Sequence, residues 1–483
     1  MTDHAHDPSA RDAAPHALRW RILGLLGIAQ LMLILDVTVV AIALPNIETD
    51  LGLSRQTVTW TVSAYTLAFG GLILLGGRAA DLFGARRVVL TGLLVFSAAS
   101  LVTGLADSAV PLLGGRIAQG VGAALMSPSA LSLVVHLFDG DERNRALGVW
   151  SALGGGGAAL GVLLGGLLTA GPGWPWVFYV NVPIGLAIIA ALARMLPRGT
   201  AAGPRPRLDV LGALLVTASS ATLIYALIRA GDHGWFTAAS GALVLLAAVG
   251  YAAFVARQKT AATPMMDIAL LTRRPVATGT FLVLMATALM IAVFFLGTFY
   301  FQHAEGFGAL RTGLLFLPVA IATMLGANTT GRVLARAGAR TLAVAGLIVA
   351  AAGMAVPALS MHPAAVTLGT AVAGAGTGAM FVVASATALG RVAPHESGIA
   401  SGIVSTFHEF GASLGAAVTS SVAAASLVGG TLAGFTDGFT LAAVAAAVAA
   451  PVAAVLTPGR PHPGSQTPEG SAVPEGSSSP GEV

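Results

Sequence analysis

Fourteen apolar stretches, each of the order of twenty residues, recur along the 483-residue chain. They lie at 22–44, 59–77, 88–106, 110–137, 146–170, 177–193, 210–228, 237–256, 276–301, 312–331, 341–359, 364–388, 399–427 and 437–456. A hydrocarbon layer about 30 Å thick is crossed by roughly 20 apolar residues in helical form, so the repetition predicts an all-α polytopic membrane protein. The runs show no period-two alternation, which favours helices over a barrel. Only 10% of the residues are charged and the mean hydropathy is +0.83. A soluble multidomain enzyme, with about 25% charged residues, is thereby excluded. With no cysteine in the chain, disulfides, thiolate nucleophiles and cysteine-held metals are excluded as well.

Basic residues test this count independently. With the N-terminus inside, 21 of the 25 Lys and Arg fall in inner segments, three in outer loops, and Arg116 within a span. This is the positive-inside pattern, and it predicts a multi-pass protein of the cell membrane with both termini cytoplasmic. It also accounts for a pI near 9.9 without nucleic acid as a partner; the lipid bilayer is the partner expected. Residues 1–21 hold Asp3, Asp7 and Asp12 among arginines and no short apolar core, so a cytoplasmic N-terminus is expected rather than a signal peptide. The Pro-, Gly-, Ser- and Glu-rich segment 458–483 is expected to be a disordered cytoplasmic tail.

Two loops repeat one another. Gly77-Arg78-Ala79-Ala80-Asp81-Leu82-Phe83-Gly84-Ala85-Arg86 follows the second span, and Gly331-Arg332-Val333-Leu334-Ala335-Arg336-Ala337-Gly338-Ala339-Arg340 follows the tenth. Short Gly/Arg turns recur in many multispan proteins, but these occupy matching positions if spans 1–6 and 9–14 are equivalent. The expected organisation is a six-helix half over 22–196, two inserted helices over 208–256 and a second six-helix half over 276–457. Paired halves around a midplane site are the architecture of secondary transporters.

The motifs resemble the major facilitator superfamily, and within it the fourteen-span drug:proton antiporter branch of the EmrB/QacA type. The resemblance covers roughly Arg19 to Leu456. Leu35-Asp36-Val37-Thr38-Val39-Val40-Ala41-Ile42-Ala43-Leu44-Pro45 is similar to the first-helix motif, with Ala41 where Asn is usual. Gly77 to Arg87 resembles the loop motif after helix 2, and Leu113-Gly114-Gly115-Arg116-Ile117-Ala118-Gln119-Gly120-Val121-Gly122 the fourth-helix motif. Trp174 to Gly185 is similar to the helix 5–6 signature. Gly148, Gly157, Gly161, Gly165 and Gly166 occupy the glycine positions of the antiporter motif, with Val162 in place of its proline. Glycines at such spacing let helix backbones approach closely under any function. In the family this helix seals the two halves when the pump faces inward.

The resemblance implies that Asp81, amid Gly77, Arg78, Gly84, Arg86 and Arg87, contacts the start of helix 13 near Ser397–Gly402. A carboxylate at a helix N-terminus meets a partial positive charge, forming a latch for the outward-facing state. The alternative is a solvated acid in an ordinary basic loop. Ala335 stands where the second repeat would hold the acid, so a single latch is expected.

Asp36 and Glu409 are the acids that fall well inside spans. An ionisable group at that depth costs about 2.5–3.5 kcal/mol on insertion scales and marks a functional or paired site. Asp36 and Arg116 lie at comparable depths and are expected either to share a proton-linked network or merely to fix helix packing. Glu409 sits near mid-membrane. His408 precedes it and points about 100° away, as a proton-site neighbour or as a packing residue. Met290, Phe294, Tyr300 and Gln302 on helix 9 suit either an adaptable substrate cavity or lipid contact.

The expected activity is proton-coupled efflux of amphipathic small molecules, cations among them. The alternatives are a dedicated exporter or importer of one metabolite and, less favoured, a membrane-embedded enzyme. No Walker-type loop is present, so no nucleotide or other cofactor is expected and the proton gradient is the energy source. Replacing Asp81 by Asn should impair transport by destabilising the outward-facing state while leaving expression near normal. Accessibility labelling of cysteines placed at both cavity mouths measures this; an unchanged inside/outside ratio removes the latch.

Overall fold

The computed structural model describes residues 16–196 and 208–458, apart from 391, 394, 395 and 430. The expected N-terminal segment ahead of residue 16 and the tail after 458 lie outside the described residues. The helices are α1 (His16–Leu51), α2 (Arg55–Phe83), α3 (Ala85–Gly104), α4 (Ala109–Leu137), α5 (Gly140–Ala170), the short α6 (Pro175–Tyr179) and α7 (Asn181–Met195). A pair follows, α8 (Val210–His233) and α9 (Ala238–Thr260), with the short α10 (Ile268–Thr272). The chain continues through α11 (Arg274–Phe299), α12 (Ala309–Ala337), α13 (Ala339–Leu359), α14 (Pro363–Leu389), α15 (Ser397–Val422), the short α16 (Ala424–Gly429) and α17 (Ala433–Leu456).

Among the described residues, twelve helices are long and apolar enough to cross a membrane, counting α6 and α7 as one. The protein is therefore an all-helical, multi-pass membrane protein. The sequence predicts fourteen spans, and α5 and α15 stand at the two remaining positions. They are 31 and 26 residues long. In α15, His408, Glu409 and a run of serines and threonines dilute the apolarity, and several of them are buried against other helices.

Helices α1–α7 pack among themselves, and so do α11–α17. The two groups meet chiefly along two seams, α2 against α15 and α5 against α12, with lesser contact between α1 and α11. Small residues set these approaches. Gly157, Gly161 and Gly165 place α5 directly on α1, where added Cβ atoms would strike Ile34, Thr38 and Val39. Gly166 of the same helix abuts the Ala309–Leu310 backbone of α12, while Gly313 of α12 abuts the Val162 carbonyl. The antiporter-motif helix thus packs closely on both groups. Gly148, nearer its start, faces open space.

The repeated loops have the same geometry. Gly84 and Gly338 each end one helix and start the next with φ of 88° and 83°. That left-handed backbone is open to glycine at no steric cost. Each donates its N–H back four residues, to Ala80 and Leu334. The arginine two residues on ties each turn to the last helix of its own group. Arg86 donates to the Ala193 carbonyl of α7 at 2.6 Å, and Arg340 to the Thr457 carbonyl beyond α17 at 3.0 and 3.1 Å.

The α8–α9 pair leans on the α2–α15 seam, with Leu245, Leu246 and Val249 of α9 exposed on its outer face. Its end beside the basic loops is fixed by Asp209, which accepts hydrogen bonds from Gly212 N–H, Gln258 and Arg257. Burial works to raise the Asp209 carboxyl, but these hydrogen bonds and the Arg257 charge hold it below the usual carboxylate range. At the far end Arg55 is buried and joins three helices. It pairs with Asp232 of α8 at 2.7 Å, and donates to the Ile228 carbonyl and to the Ser420 carbonyl and hydroxyl of α15. Removing one partner of a buried charge cluster costs about 3–5 kcal/mol; Asp232 is partly exposed, so the lower end applies. Arg55→Met should therefore lower the thermal midpoint in detergent by several degrees and raise labelling of cysteines introduced at the far end. Unchanged values for both would mean the cluster holds nothing together.

Candidate functional site

The structure brings Asp36 and Arg116 together. An arginine on the apolar helix α4 must find acceptors on neighbouring helices, because lipid offers none. Arg116 Nη1 donates to Asp36 Oδ2 of α1 at 2.5 Å and to Gln119 Oε1 at 3.0 Å, and Nε donates to the Thr61 carbonyl of α2 at 2.8 Å. Gln119 Nε2 completes the arrangement, donating to Asp36 Oδ1 at 3.1 Å and to Ser100 Oγ of α3 at 2.8 Å. All these side chains are buried, and four helices converge on one charge pair. The guanidinium lies 4.4 Å from the centre of the Tyr65 ring, a buried cation–π contact.

Gln119, Ser100 and Tyr65 were not singled out by sequence reasoning. Gln119 carries a readable signal, since it stands three residues after Arg116 and so shares its helix face. Nothing local marks Tyr65. Its hydroxyl is buried without a hydrogen-bond partner among the described residues, and it lies within electrostatic reach of both Asp36 and Glu409.

Glu409 is buried where α15 meets α2, its Cβ against Gly70. His408 Nδ1 approaches Glu409 Oε1 at 3.1 Å from a half-exposed position, its ring tilted against that of Phe381. Along the same seam Thr66 and Ser413 share a hydrogen bond of 2.6 Å, as do Thr59 and Ser420.

Asp81 lies in the last turn of α2. It is exposed, with no hydrogen bond or ion pair among the described residues, and so are Arg78 and Arg87. The start of α15 has an acid of its own, Glu396, clamped by Arg273 at 2.7 and 3.1 Å. Gly77 lies near Pro128 of α4. Of the helix 9 residues, Phe294 and Tyr300 are packed inside the bundle, against Phe316 and Phe435. Met290 is partly buried beside that core. Gln302 stands on a π-helical turn and donates to the Ile42 carbonyl of α1 at 2.9 Å, tying α11 to α1 at the far end. His303 Nε2 of the same turn lies 3.7 Å from Glu48 Oε2 of α1.

A buried ion pair is costly to break and cheap to replace whole. Asp36→Asn and Arg116→Gln singly should each cost about 3–5 kcal/mol, and the double variant substantially less than their sum. Thermal unfolding of the four proteins in detergent measures the coupling. Additive losses would show that the two groups act independently.

The model of the Major Facilitator Superfamily matches residues 26–416 and, in a second overlapping match, 330–479. The puromycin resistance protein pur8 of Streptomyces alboniger is 38% identical over 416 residues, 84% of this chain and 82% of the relative. The cephamycin export protein CmcT of Amycolatopsis lactamdurans is 36% identical over 80% of this chain and 81% of its own. Among solved structures, a POT family transporter in complex with a thioalcohol-conjugated peptide superposes with a TM-score of 0.66 at 13% identity, over 90% of this chain and 96% of that one. An inward-facing bacterial homologue of the human lysosomal transporter Spinster gives 0.64 at 15% identity, over 92% and 97%. The likeness to these structures concerns the fold alone; with the sequence matches, it places this chain in the major facilitator superfamily, as a transporter rather than an enzyme.

Proposed function

We propose that the protein exports amphipathic small molecules, antibiotics among them, from the cytoplasm by alternating access, in exchange for protons. The observation that carries the reading is the Asp36–Arg116–Gln119 cluster, an acid, a base and an amide buried inside a lipid-embedded bundle. Support comes from the relatives, whose names describe resistance to puromycin, export of cephamycin, resistance to and export of tetracenomycin C, and resistance to lincomycin. Those names attach to particular antibiotics, which favours a narrow substrate class as the second reading over broad drug specificity.

In this reading the chain has fourteen spans of the EmrB/QacA type, α5 and α15 included. The halves are 22–196 and 276–457, with 208–256 inserted, and both termini are cytoplasmic. The far end is then the outer one, held shut by Arg55–Ser420, Gln302–Ile42 and the Gly166–Ala309 approach. Asp81, exposed and without a hydrogen bond or ion pair among the described residues, would engage the start of α15 when the cytoplasmic side closes.

Asp36 carries or controls the proton. Desolvation favours the neutral carboxyl and Arg116 favours the ionised one, so small movements of either helix tip the balance. Cationic substrate entering from the cytoplasm favours ionised Asp36 and releases its proton inward; reprotonation from outside expels the cargo. Glu409 with His408 is a secondary site. One monovalent cation for one proton moves no net charge, so the pH gradient alone drives the exchange. A membrane potential, worth about 2.3 kcal/mol per charge per 100 mV, contributes nothing.

Proteoliposomes with an imposed pH gradient, screened over cationic dyes and antibiotics, test this. Asp36→Asn should abolish pH-driven efflux, whereas Glu409→Gln should reduce it less and mainly for cations. Asp36→Asn protein that pumps a cationic dye with normal proton counterflow would hand the coupling role to Glu409. Flux of no compound under any gradient would defeat the export reading.

A further inference from the structure

Where the α8–α9 pair leans on the α2–α15 seam, a cavity of about 300 Å³ is left between them, bounded on its remaining side by the connector through α10. That volume is at the small end of ligand sites. None of Asp36, Arg116 and Gln119 lines it, so it is distinct from the buried ion pair. Gly70 and Gly71 keep its α2 wall flat; a Cβ on Gly71 would strike the Thr217 hydroxyl.

The lining specifies chemistry. No charged side chain contributes to it, so a charged occupant would lie desolvated without a partner. Phe254, Phe407, Phe410 and Tyr251 offer ring edges and faces, and Met265 and Met266 offer adaptable thioethers, a set that suits a flat aromatic body. The connector wall is fixed, because Gln258 Oε1 accepts the N–H groups of Met265 and Met266 at 2.8 and 3.3 Å.

Thr406 also lines the cavity, and its buried hydroxyl has no hydrogen-bond partner among the described residues. Thr419 of the same helix instead returns its hydroxyl to the Gly415 carbonyl at 2.5 Å. A buried hydroxyl left unpaired costs about 1–3 kcal/mol, which a ligand acceptor would recover. On the opposite wall Ser220 Oγ is 2.8 Å from both the Val216 carbonyl and the Tyr251 hydroxyl. If Ser220 donates to Val216, Tyr251 donates to Ser220, and the cavity holds one spare donor, that of Thr406.

We infer that this cavity binds an uncharged, mainly aromatic molecule carrying one hydrogen-bond acceptor, at a site separate from the Asp36–Arg116 cluster. A lipid acyl chain would satisfy the apolar walls and leave Thr406 unpaired. The occupant would lie one helical turn from Glu409, against the Gly70 backbone that Glu409 touches, and so would brace the seam that alternating access must open.

Benzophenone, with two rings, one carbonyl and no charge, is a suitable probe, because its excited carbonyl inserts into neighbouring C–H bonds. Full-length protein in detergent is irradiated over a concentration series without any pH gradient, and adducts are mapped by peptide mass spectrometry. Saturable labelling at Met265 or Met266 is expected. Leu223→Trp, which fills the cavity, should reduce it at least tenfold, and Thr406→Val should raise the half-saturating concentration severalfold. Labelling that never saturates, or that is equal in both variants, overturns the inference. If Leu223→Trp fails to fold, an unchanged half-saturation in Thr406→Val overturns it alone. Labelling abolished by adding back phospholipid would assign the cavity to a lipid chain and overturn it too. Export failing in proteoliposomes while labelling saturates defeats the transport reading and leaves this one standing; the reverse outcome does the opposite.

Discussion

An arginine inside a lipid-embedded bundle has to be answered by protein, and the arrangement of α1–α4 follows from how Arg116 is answered. Its donors reach α1 through Asp36 and α2 through the Thr61 carbonyl, and its amide neighbour Gln119 reaches α3 through Ser100. In the hydrocarbon environment none of these groups has water as an alternative partner, so the cluster fixes both the rotation and the depth of the helices that supply it. The same fixing makes the site sensitive to protonation. Neutralising Asp36 leaves a buried guanidinium short of a counter-charge, and the helices must move to hydrate it or pair it elsewhere.

The two seams differ in kind. Between α5 and α12 the contact is backbone against backbone, made through Gly166 and Gly313, and it carries no charge. Between α2 and α15 it is polar along much of its length, from Arg55 and Ser420 through Thr66 and Ser413 to Glu409. Hydroxyl pairs can trade partners with water when a cavity wets, whereas a glycine approach is simply lost. The second seam is therefore the one whose opening can be graded by hydration, and it is also the one that the α8–α9 pair covers.

Much of this was legible in the sequence. The depths of Asp36 and Arg116 follow from their positions in spans, and the repeated loops announce two equivalent turns, which recur in the structure down to the positive φ of Gly84 and Gly338. The polar partners were harder. Gln119 follows from helix periodicity, but Tyr65 and Ser100 enter through tertiary contacts that no local pattern encodes. Phe294 and Tyr300 show the converse. An aromatic stripe is equally apolar towards core, cavity or lipid, and their place among Phe316 and Phe435 is decided by neighbours far along the chain. In α15 the buried polar residues face other helices, and hydrogen bonds such as Thr66–Ser413 and Thr59–Ser420 offset their cost in a way that composition does not register.

The ties made by Arg86 and Arg340 bear on mechanics. Each joins the turn before the third helix of a group to the end of that group's last helix, so each group's basic end is strapped into one piece. Stiff bodies joined at a central seam behave as levers. α2, with 29 residues, is about 44 Å long at 1.5 Å per residue, so its ends lie about 22 Å from a pivot at mid-membrane. A rotation of about 10° there moves each end by about 4 Å, while atoms beside the pivot scarcely shift. Changes smaller than a bond length beside such a pivot would in this way be magnified at the two mouths, and the gain of the lever is set by helix length rather than by the strength of any contact at the centre.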